Sequence, residues 1–152
     1  MATLSAQVCE RQFPILALDY NELRRFELFR ERIGLATSED LTTWTRHPGP
    51  VLEPDPLRYE LLDPEAWFDQ AWRDPWVFRG PDGAFHAYVT ARAAEGPARG
   101  RAVIGHARSD DLVRWEVLPP VTRPMGFGQM EVPQLLEAGL IKSPVDLFRL
   151  PA

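Results

Sequence analysis

The stretch Ala71-Trp72-Arg73-Asp74-Pro75-Trp76-Val77-Phe78 decides how the rest of the chain is organised. It places a carboxylate between an arginine and a proline, at the start of an apolar run that is typical of a β-strand. Pro75 lacks an amide hydrogen, and its ring biases the residue before it towards an extended backbone. The stretch therefore predicts an Asp74 side chain at the mouth of a strand. Arg73 should point to the opposite side, without pairing directly with Asp74, and should reach either outward or to another acid such as Glu131 or Asp69.

One sequence pattern occurs on both sides of this stretch. Residues 33–44, Ile-Gly-Leu-Ala-Thr-Ser-Glu-Asp-Leu-Thr-Thr-Trp, recur 71 residues later as residues 104–115, Ile-Gly-His-Ala-Arg-Ser-Asp-Asp-Leu-Val-Arg-Trp. Self-similarity at a fixed period indicates a repeat architecture. Each copy predicts a strand, a turn closed by Ser and Asp side chains on backbone amides, and a strand that opens on Trp. We expect the two copies to share one conformation, with Trp44 and Trp115 largely buried between sheets.

The fold class predicted is mainly β: an incomplete β-propeller, about one complete four-stranded blade plus parts of its neighbours, with short terminal helices. The four antiparallel strands of that blade are predicted over 76–79, 84–92, 101–108 and 113–118, and a further blade would begin at residue 131. The predicted organisation is an N-terminal segment, 1–32, with a strand over 12–18 and a helix over 19–32, then a blade region, 33–138, and a tail, 139–152. In the tail, a helix and a hairpin that turns at Gly139 remain alternatives.

Composition excludes several functions. The chain has 152 residues and a net charge of -5, so it has no basic footprint for nucleic acid or an anionic membrane. Cys9 is the single cysteine, so no intrachain disulfide is expected, and neither a metal nor a cofactor is predicted. No stretch approaches the ~20 apolar residues of a membrane span. Residues 1–6 lack the order of a secretory signal, and a cytoplasmic location is expected.

Five residues are candidates for a functional site. Asp74 and Glu131 both precede the first strand of a predicted blade, and first strands line the axis of a propeller, so both would point into one funnel. Glycoside hydrolysis needs such a pair, an acid for the leaving oxygen and a carboxylate for the oxocarbenium-like centre. From the residues alone, Asp74 is equally well explained as a turn aspartate, and Glu131 better as a surface glutamate. Trp72, Arg73 and Gln129 are predicted to bind the substrate.

Three motifs together resemble those of the five-bladed β-propeller glycoside hydrolases: Trp72-Arg73-Asp74-Pro75, the two Ser-acid-Asp-Leu-x-x-Trp turns, and Glu131-Val132-Pro133-Gln134. The resemblance is closest to family 32, the β-fructosidases (invertase, levanase and inulinase), and more distant to family 43. It implies that Asp74 binds sugar hydroxyls and stabilises the transition state, and that Glu131 is the general acid/base. A fructose-containing carbohydrate is the implied partner. Val132 replaces the Cys of the family's Glu-Cys-Pro motif, a residue that is not the proton donor.

The chain departs from this family in two respects. The family's nucleophile is an Asp in an Asn-Asp-Pro-like motif at the start of the first blade, and no such motif precedes Ile33. Five units of the repeat would also need more residues than the 152 present. The resemblance thus implies a β-fructosidase-like fragment, whose hydrolysis of O-glycosidic bonds is not expected without the nucleophile. The alternative is a non-catalytic carbohydrate-binding or protein-interaction module, with a homo-oligomer covering open sheet edges.

A second, shorter resemblance concerns the end of the chain. Residues 136–150 are similar to a helical stretch of NAD-dependent DNA ligases. The stretch includes no ligase catalytic motif, so no ligase function is predicted from it.

Overall fold

The computed structural model describes residues 4–7, 15–19 and 29–135 of the chain. The strands are β1 (Leu4–Gln7), β2 (Ile15–Asp19), β3 (Ile33–Thr37), β4 (Thr45–Leu52), β5 (Trp72–Arg79), β6 (Phe85–Arg92), β7 (Ala102–Ser109) and β8 (Glu116–Leu118), with a short 3-10 helix at Ala98–Gly100. They form two four-stranded sheets, in the orders β1-β2-β3-β4 and β5-β6-β7-β8. Within the described ranges, no helix is long and apolar enough to cross a membrane.

The two sheets follow one pairing scheme, displaced by 71 residues. Ser5 pairs with Ala17 in the first sheet as Trp76 pairs with Tyr88 in the second. The same displacement relates every partner pair between β2 and β3 to a pair between β6 and β7, and it relates two of the three partner pairs between β7 and β8 to pairs between β3 and β4. Sequential antiparallel strands of this kind make a propeller blade, so the predicted fold class, a mainly β and incomplete propeller, is confirmed.

The first blade begins earlier than the sequence predicted. Strands β1 and β2 lie in the segment 1–32 and pair in one sheet with β3, so the boundary predicted at residue 33 cuts through a blade. The described residues therefore contain two four-stranded sheets, one more than the single complete blade predicted. Residues 131–135, where a further blade was expected to begin, are not in a strand. The helix predicted over 19–32 is wrong at both of its described ends, because Asp19 belongs to β2 and residues 29–32 are not helical. The rest of that helix and the whole tail lie outside the described residues.

The repeated turns have the same hydrogen bonds, as predicted. Ser38 Oγ and Ser109 Oγ each accept the amide N–H three positions further on, both at 2.8 Å. Asp40 Oδ1 and Asp111 Oδ1 each accept the amides two and three positions further on, at 2.7 to 2.9 Å. The leucine after each aspartate has a positive φ, 61° in the first turn and 66° in the second. The two copies thus share one local conformation.

Acid is expected to weaken both turns. The Thr43 and Thr42 amides lower the pKa of Asp40 from 3.8 to about 2, and the amides after Asp111 lower its pKa as well. A lowered folded-state pKa means that the unfolded chain binds the proton more tightly, so the turns contribute stability above the unfolded pKa of 3.8. That contribution is lost as the pH falls through about 2.

The test is the urea midpoint measured across this pH window. We expect a shallower fall in the double variant Asp40→Asn/Asp111→Asn than in the wild type. Asp110→Asn, in the second turn but outside these hydrogen bonds, serves as the control and should keep the wild-type slope. Equal slopes in all three proteins would contradict the assignment.

The sheets pack face to face through an apolar core that positions β5. Its buried members are Ile33 and Leu52 of the first blade, Trp72, Ala87, Val89, Ala91, Val103 and Ala107 of the second, and Tyr59 of the connection between them. Gly105 makes room for Trp72, since a Cβ there would lie 3.1 Å from Trp72 Cζ3 and 2.7 Å from Val89 Cγ2.

Trp44 and Trp115 are half-buried, and the prediction that both are largely buried was wrong in degree.

Candidate functional site

Four carboxylates lie around Arg73, near the start of β5. Its Nη1 donates to Glu31 Oε2 at 2.6 Å and to Asp69 Oδ2 at 2.8 Å, and its Nη2 donates to Glu131 Oε1 at 2.8 Å. Its Nε lies 3.9 Å from Asp74 Oδ2. The Arg73 side chain is 11% exposed and that of Glu131 is 53% exposed. One shielded guanidinium therefore gathers acids from separate parts of the chain at an opening to solvent.

The connection between the blades places two of these acids. The backbone of Arg30 forms a parallel bridge with Gln70, and the Gln70 amide donates to the Phe29 carbonyl at 2.6 Å. The Gln70 side chain also donates to the Glu31 carbonyl at 3.0 Å. Residues 29–32 thus run beside the start of β5. This contact brings Glu31 and Asp69 to the same guanidinium.

Asp74 does not have the extended backbone predicted for it. Its φ is 51°, and the pairing of β5 with β6 shifts register between Arg73 and Trp76. The preference imposed by the following proline is overridden because the irregularity takes Asp74 out of the ladder, and aspartate tolerates the left-handed region better than most residues. The side chain still lies at the strand mouth, where Asp74 Oδ2 accepts a hydrogen bond from the buried Thr90 Oγ1 at 3.2 Å.

The same backbone conformation recurs beside Glu131. Val132 also precedes a proline and has a φ of 51°. A β-branched residue in this region is strained, and such strain costs on the order of 1–3 kcal/mol. Strained residues concentrate at functional sites, where the surrounding structure holds them in place. Both proposed catalytic carboxylates are therefore at or next to a strained residue.

Burial and charge shift the pKa of two groups at this site. Burial raises the pKa of Glu31 above its usual value, and the hydrogen bond from Arg73 offsets only part of that rise. Burial alone would lower the pKa of Arg73, but its bonds to Glu31 and Glu131 outweigh this effect and raise it. The arginine therefore stays charged, while the acids around it outnumber it. Such a site can hold protons and accept hydrogen bonds from hydroxyl groups.

Four of the five predicted site residues come together, and one does not. Arg73 pairs with Glu131 and Asp69, as predicted, and Gln129 Nε2 donates to both Asp69 oxygens at 3.2 Å. Trp72 was predicted to bind the substrate, but it is fully buried, and its Nε1 donates to a backbone carbonyl in β4 at 3.2 Å. Alternation along β5 explains this, because Trp72 points into the core when Arg73 points away from it.

Two members of the site were not predicted, Glu31 and Thr90. Glu31 stands between two arginines in a mixed-charge segment that resembles a solvated surface, and its contact with Arg73 spans 42 residues. Thr90 is one of several small or β-branched residues in β6. Neither residue belongs to a motif, so only the three-dimensional contact identifies it.

A buried ion pair supports the chain just before Glu131. Arg92 is 1% exposed, and its Nε and Nη2 donate to the two oxygens of Glu60 at 3.1 and 3.3 Å. Its guanidinium lies 3.8 Å from the centroid of the Trp67 ring, and its Nη1 donates to the Gly128 carbonyl. A Cβ at Gly128 would meet Trp67 Cη2 at 2.7 Å. Arg92 and Trp67 thereby fix the backbone three residues before Glu131.

Comparisons with other proteins support the architecture. No protein-family model and no curated protein sequence matches the chain. Among solved structures, it is similar to the β-fructofuranosidase of glycoside hydrolase family 32 from Bombyx mori, with a TM-score of 0.65 and 21% identity over 90% of this chain. It is also similar to fructan 1-exohydrolase IIa from Cichorium intybus, with a TM-score of 0.64 and 21% identity over 86% of this chain. The fold is shared with family 32 propellers.

The match concerns a small part of each relative. The chain spans 27% of the Bombyx enzyme and 22% of the Cichorium enzyme. A variant of the Cichorium enzyme, solved in complex with 1-kestose, is similar with a TM-score of 0.63 and 20% identity over 85% of this chain, and the match spans 22% of that variant. At such low identity, the TM-scores show a common fold alone, and the predicted resemblance to glycoside hydrolase propellers is confirmed at that level. The ligase-like stretch lies outside the described residues, and the cytoplasmic location stays a prediction.

Proposed function

We propose that the chain carries part of a glycoside hydrolase site of the β-fructosidase type, which binds a fructose-containing carbohydrate. The observation that supports this most strongly is the meeting of Asp74 and Glu131 at one guanidinium, although they are far apart in sequence. Glycoside hydrolysis requires two carboxyl groups that flank one bond. The shared propeller fold and the strained residues 74 and 132 are consistent with the same role.

Glu131 is the proposed general acid/base. Arg73 holds one of its oxygens, while more than half of the side chain is exposed, so the carboxyl group can exchange a proton with a sugar that binds beside it. Gln129 Nε2 donates a hydrogen bond to Asp69 at the same site. The buried Arg92 donates to the Gly128 carbonyl and so fixes the backbone that leads to Glu131. The proton-transfer group is thus open to solvent, while Arg73 orients its carboxyl group.

Asp74 is the proposed ligand of sugar hydroxyls. Thr90 holds one of its oxygens from the core side, which orients the carboxylate towards the strand mouth. A carboxylate accepts charge-assisted hydrogen bonds from hydroxyl groups, and these are about twice as strong as neutral ones. Arg73 Nε lies 3.9 Å from the same Asp74 oxygen and forms no short hydrogen bond to it, which leaves the carboxylate able to accept from a sugar hydroxyl.

Binding without turnover is proposed for this chain by itself. Counting back one repeat of 71 residues from Asp74 gives Thr3, which has no carboxylate, and residues 1–32 contain no Asn-Asp-Pro motif. A retaining glycosidase needs a carboxylate nucleophile besides the proton donor. The test is incubation of the purified chain with sucrose and inulin. Hydrolysis that disappears in Glu131→Gln would contradict binding without turnover and would require a nucleophile elsewhere.

Asp74→Asn is expected to weaken sugar binding by roughly 10- to 100-fold, because hydrogen bonds to a charged group contribute about 1.5–3 kcal/mol. Folding should be nearly unchanged, since the amide oxygen can still accept from Thr90. The measurements are calorimetric titration with 1-kestose and the thermal midpoint by circular dichroism. Asp110→Asn, on an exposed aspartate of the second turn, is the matched control and should bind like the wild type.

Two other outcomes would decide against this role. A large drop in the thermal midpoint of Asp74→Asn with unchanged affinity would make Asp74 a turn residue. A wild-type chain that binds none of these sugars would favour the alternative, a protein-interaction module.

A further inference from the structure

The second blade contacts the first through the turn that follows β7. Leu112 and Trp115 line a small apolar cavity between the sheets, together with Ile33, Leu35 and Val51 of the first blade. Trp115 Nε1 donates to the Leu112 carbonyl at 2.9 Å, which ties the two side chains into one unit. This Leu-Trp pair, called the knob below, packs on the face of the neighbouring blade.

The first blade carries an equivalent knob, whose leucine is more open to solvent. Leu41 and Trp44 occupy the same positions of the repeated turn, which has the same hydrogen bonds and the same positive φ at leucine. Leu41 is 58% exposed, whereas Leu112 is half-buried beside the first blade. An apolar side chain that is part of the contact in one copy is thus exposed in the other.

The second blade carries an equivalent of the receiving face. The 71-residue displacement relates Ile33 and Leu35 to Ile104 and His106 of β7, on the face of the second sheet that points away from the first. There, His106 contacts the ring of Tyr88 with centroids 5.3 Å apart, and Tyr88 contacts Phe78 at 5.0 Å. These outer residues are half-buried, while Ala87, Val89 and Ala107 on the inner face are fully buried.

We propose that a second copy of this chain docks on this outer face, head to tail. The knob Leu41-Trp44 of one copy would pack on Ile104, His106 and Tyr88 of the next, which repeats the contact that already joins the two blades within the chain. Because knob and receiving face lie on different blades, the interface is heterologous and can close into a ring. Two copies would supply four blades and three would supply six, both within the range found in propellers.

The test is sedimentation velocity of the full chain over a wide range of concentration. We expect a concentration-dependent dimer or trimer for the wild type. Leu41→Glu and His106→Glu should each shift the protein to monomer, because each would bury a negative charge in the proposed contact. Leu57→Glu, which changes a leucine that is 85% exposed in the connection between the blades, is the matched control and should associate like the wild type.

Mixing the two variants tests the head-to-tail geometry. Leu41→Glu keeps an intact receiving face, and His106→Glu keeps an intact knob, so an equimolar mixture should form a dimer through one productive interface. A wild type that is monomeric at every concentration would overturn the proposal. So would an oligomer that both variants preserve, or a mixture that stays monomeric. Should circular dichroism show that a glutamate variant unfolds, Leu41→Ser and His106→Gln give the same comparison with smaller perturbation.

Discussion

Arg73→Met is expected to lower the free energy of unfolding by about 3 kcal/mol at neutral pH and to abolish sugar binding. Removing one partner of a buried ion pair costs about 3–5 kcal/mol, because the remaining charge is left without compensation. The lower end applies here, since Glu131 is half-exposed and solvent screens its share of the interaction. Glu31 and Asp69 are less exposed, at 18% and 9%, and they account for most of the loss.

This effect should depend on pH, and its sign follows from Glu31. Burial already raises the pKa of Glu31, and Arg73 is the group that holds it down, so the variant should raise it further. A raised folded-state pKa means that the folded protein binds the proton more tightly than the unfolded chain. The variant should therefore regain stability as the pH falls through that pKa. The difference from the wild type should be smaller in mild acid than at neutral pH.

Urea unfolding of both proteins at neutral and mildly acidic pH measures this difference. Arg114→Met, which removes an exposed arginine of the second turn, is the matched control and should change stability by no more than about 0.5 kcal/mol. A loss in Arg73→Met that is the same at both pH values would show that the guanidinium acts through packing. A loss as small as that of the control would contradict the ion cluster itself.

The sequence predicts the parts of the fold in which side-chain hydrogen bonds determine the local backbone conformation. The Ser-acid-Asp turn needs its own side chains to close, so it leaves a pattern in both copies, and β6 and β7 lie next to one such pattern. Strands β1 and β2 share their pairing scheme with β5 and β6 but not their sequence, because ladder hydrogen bonds use the backbone. The strand predicted over 12–18 overlaps β2, but β1 and the pairing of both strands into the first blade were missed.

The same distinction applies to the site. Alternation along an extended chain predicted that Arg73 pairs with Glu131 or Asp69, and the same rule would have placed Trp72 in the core. The conformation of Asp74 was mispredicted because the local proline preference gives no information about a shift in strand register. Glu31 could not be found from the sequence, since its partner is 42 residues away and its own segment has no motif.

Arg92→Met is expected to lower the free energy of unfolding by about 4 kcal/mol, the largest effect of a single substitution at the site. Arg92 and Glu60 are 1% and 6% exposed and are joined by two hydrogen bonds, and removing one partner of such a buried pair costs about 3–5 kcal/mol. The substitution leaves the Glu60 carboxylate buried with Arg101, whose Nη1 donates to it at 2.7 Å. It also removes the cation from the Trp67 ring, a contact that contributes about 0.5–2 kcal/mol.

A second substitution separates packing from positioning. In Arg92→Met/Glu60→Leu, neither charge of the buried pair remains, and replacement of such a pair by apolar side chains is often neutral in stability. Arg101 also loses its bond to Glu60, but its side chain is 21% exposed and solvent can compensate its charge. The two changes should therefore be strongly non-additive, with most of the lost stability recovered. The Gly128 carbonyl still lacks its donor, however, so the backbone that leads to Gln129 and Glu131 is no longer fixed. We expect the double variant to fold and to bind 1-kestose more weakly than the wild type.

Arg99→Met, on an exposed arginine of the 3-10 helix, controls for loss of a positive charge. If the double variant bound the sugar with wild-type affinity, Arg92 would only stabilise the fold and would not position Glu131.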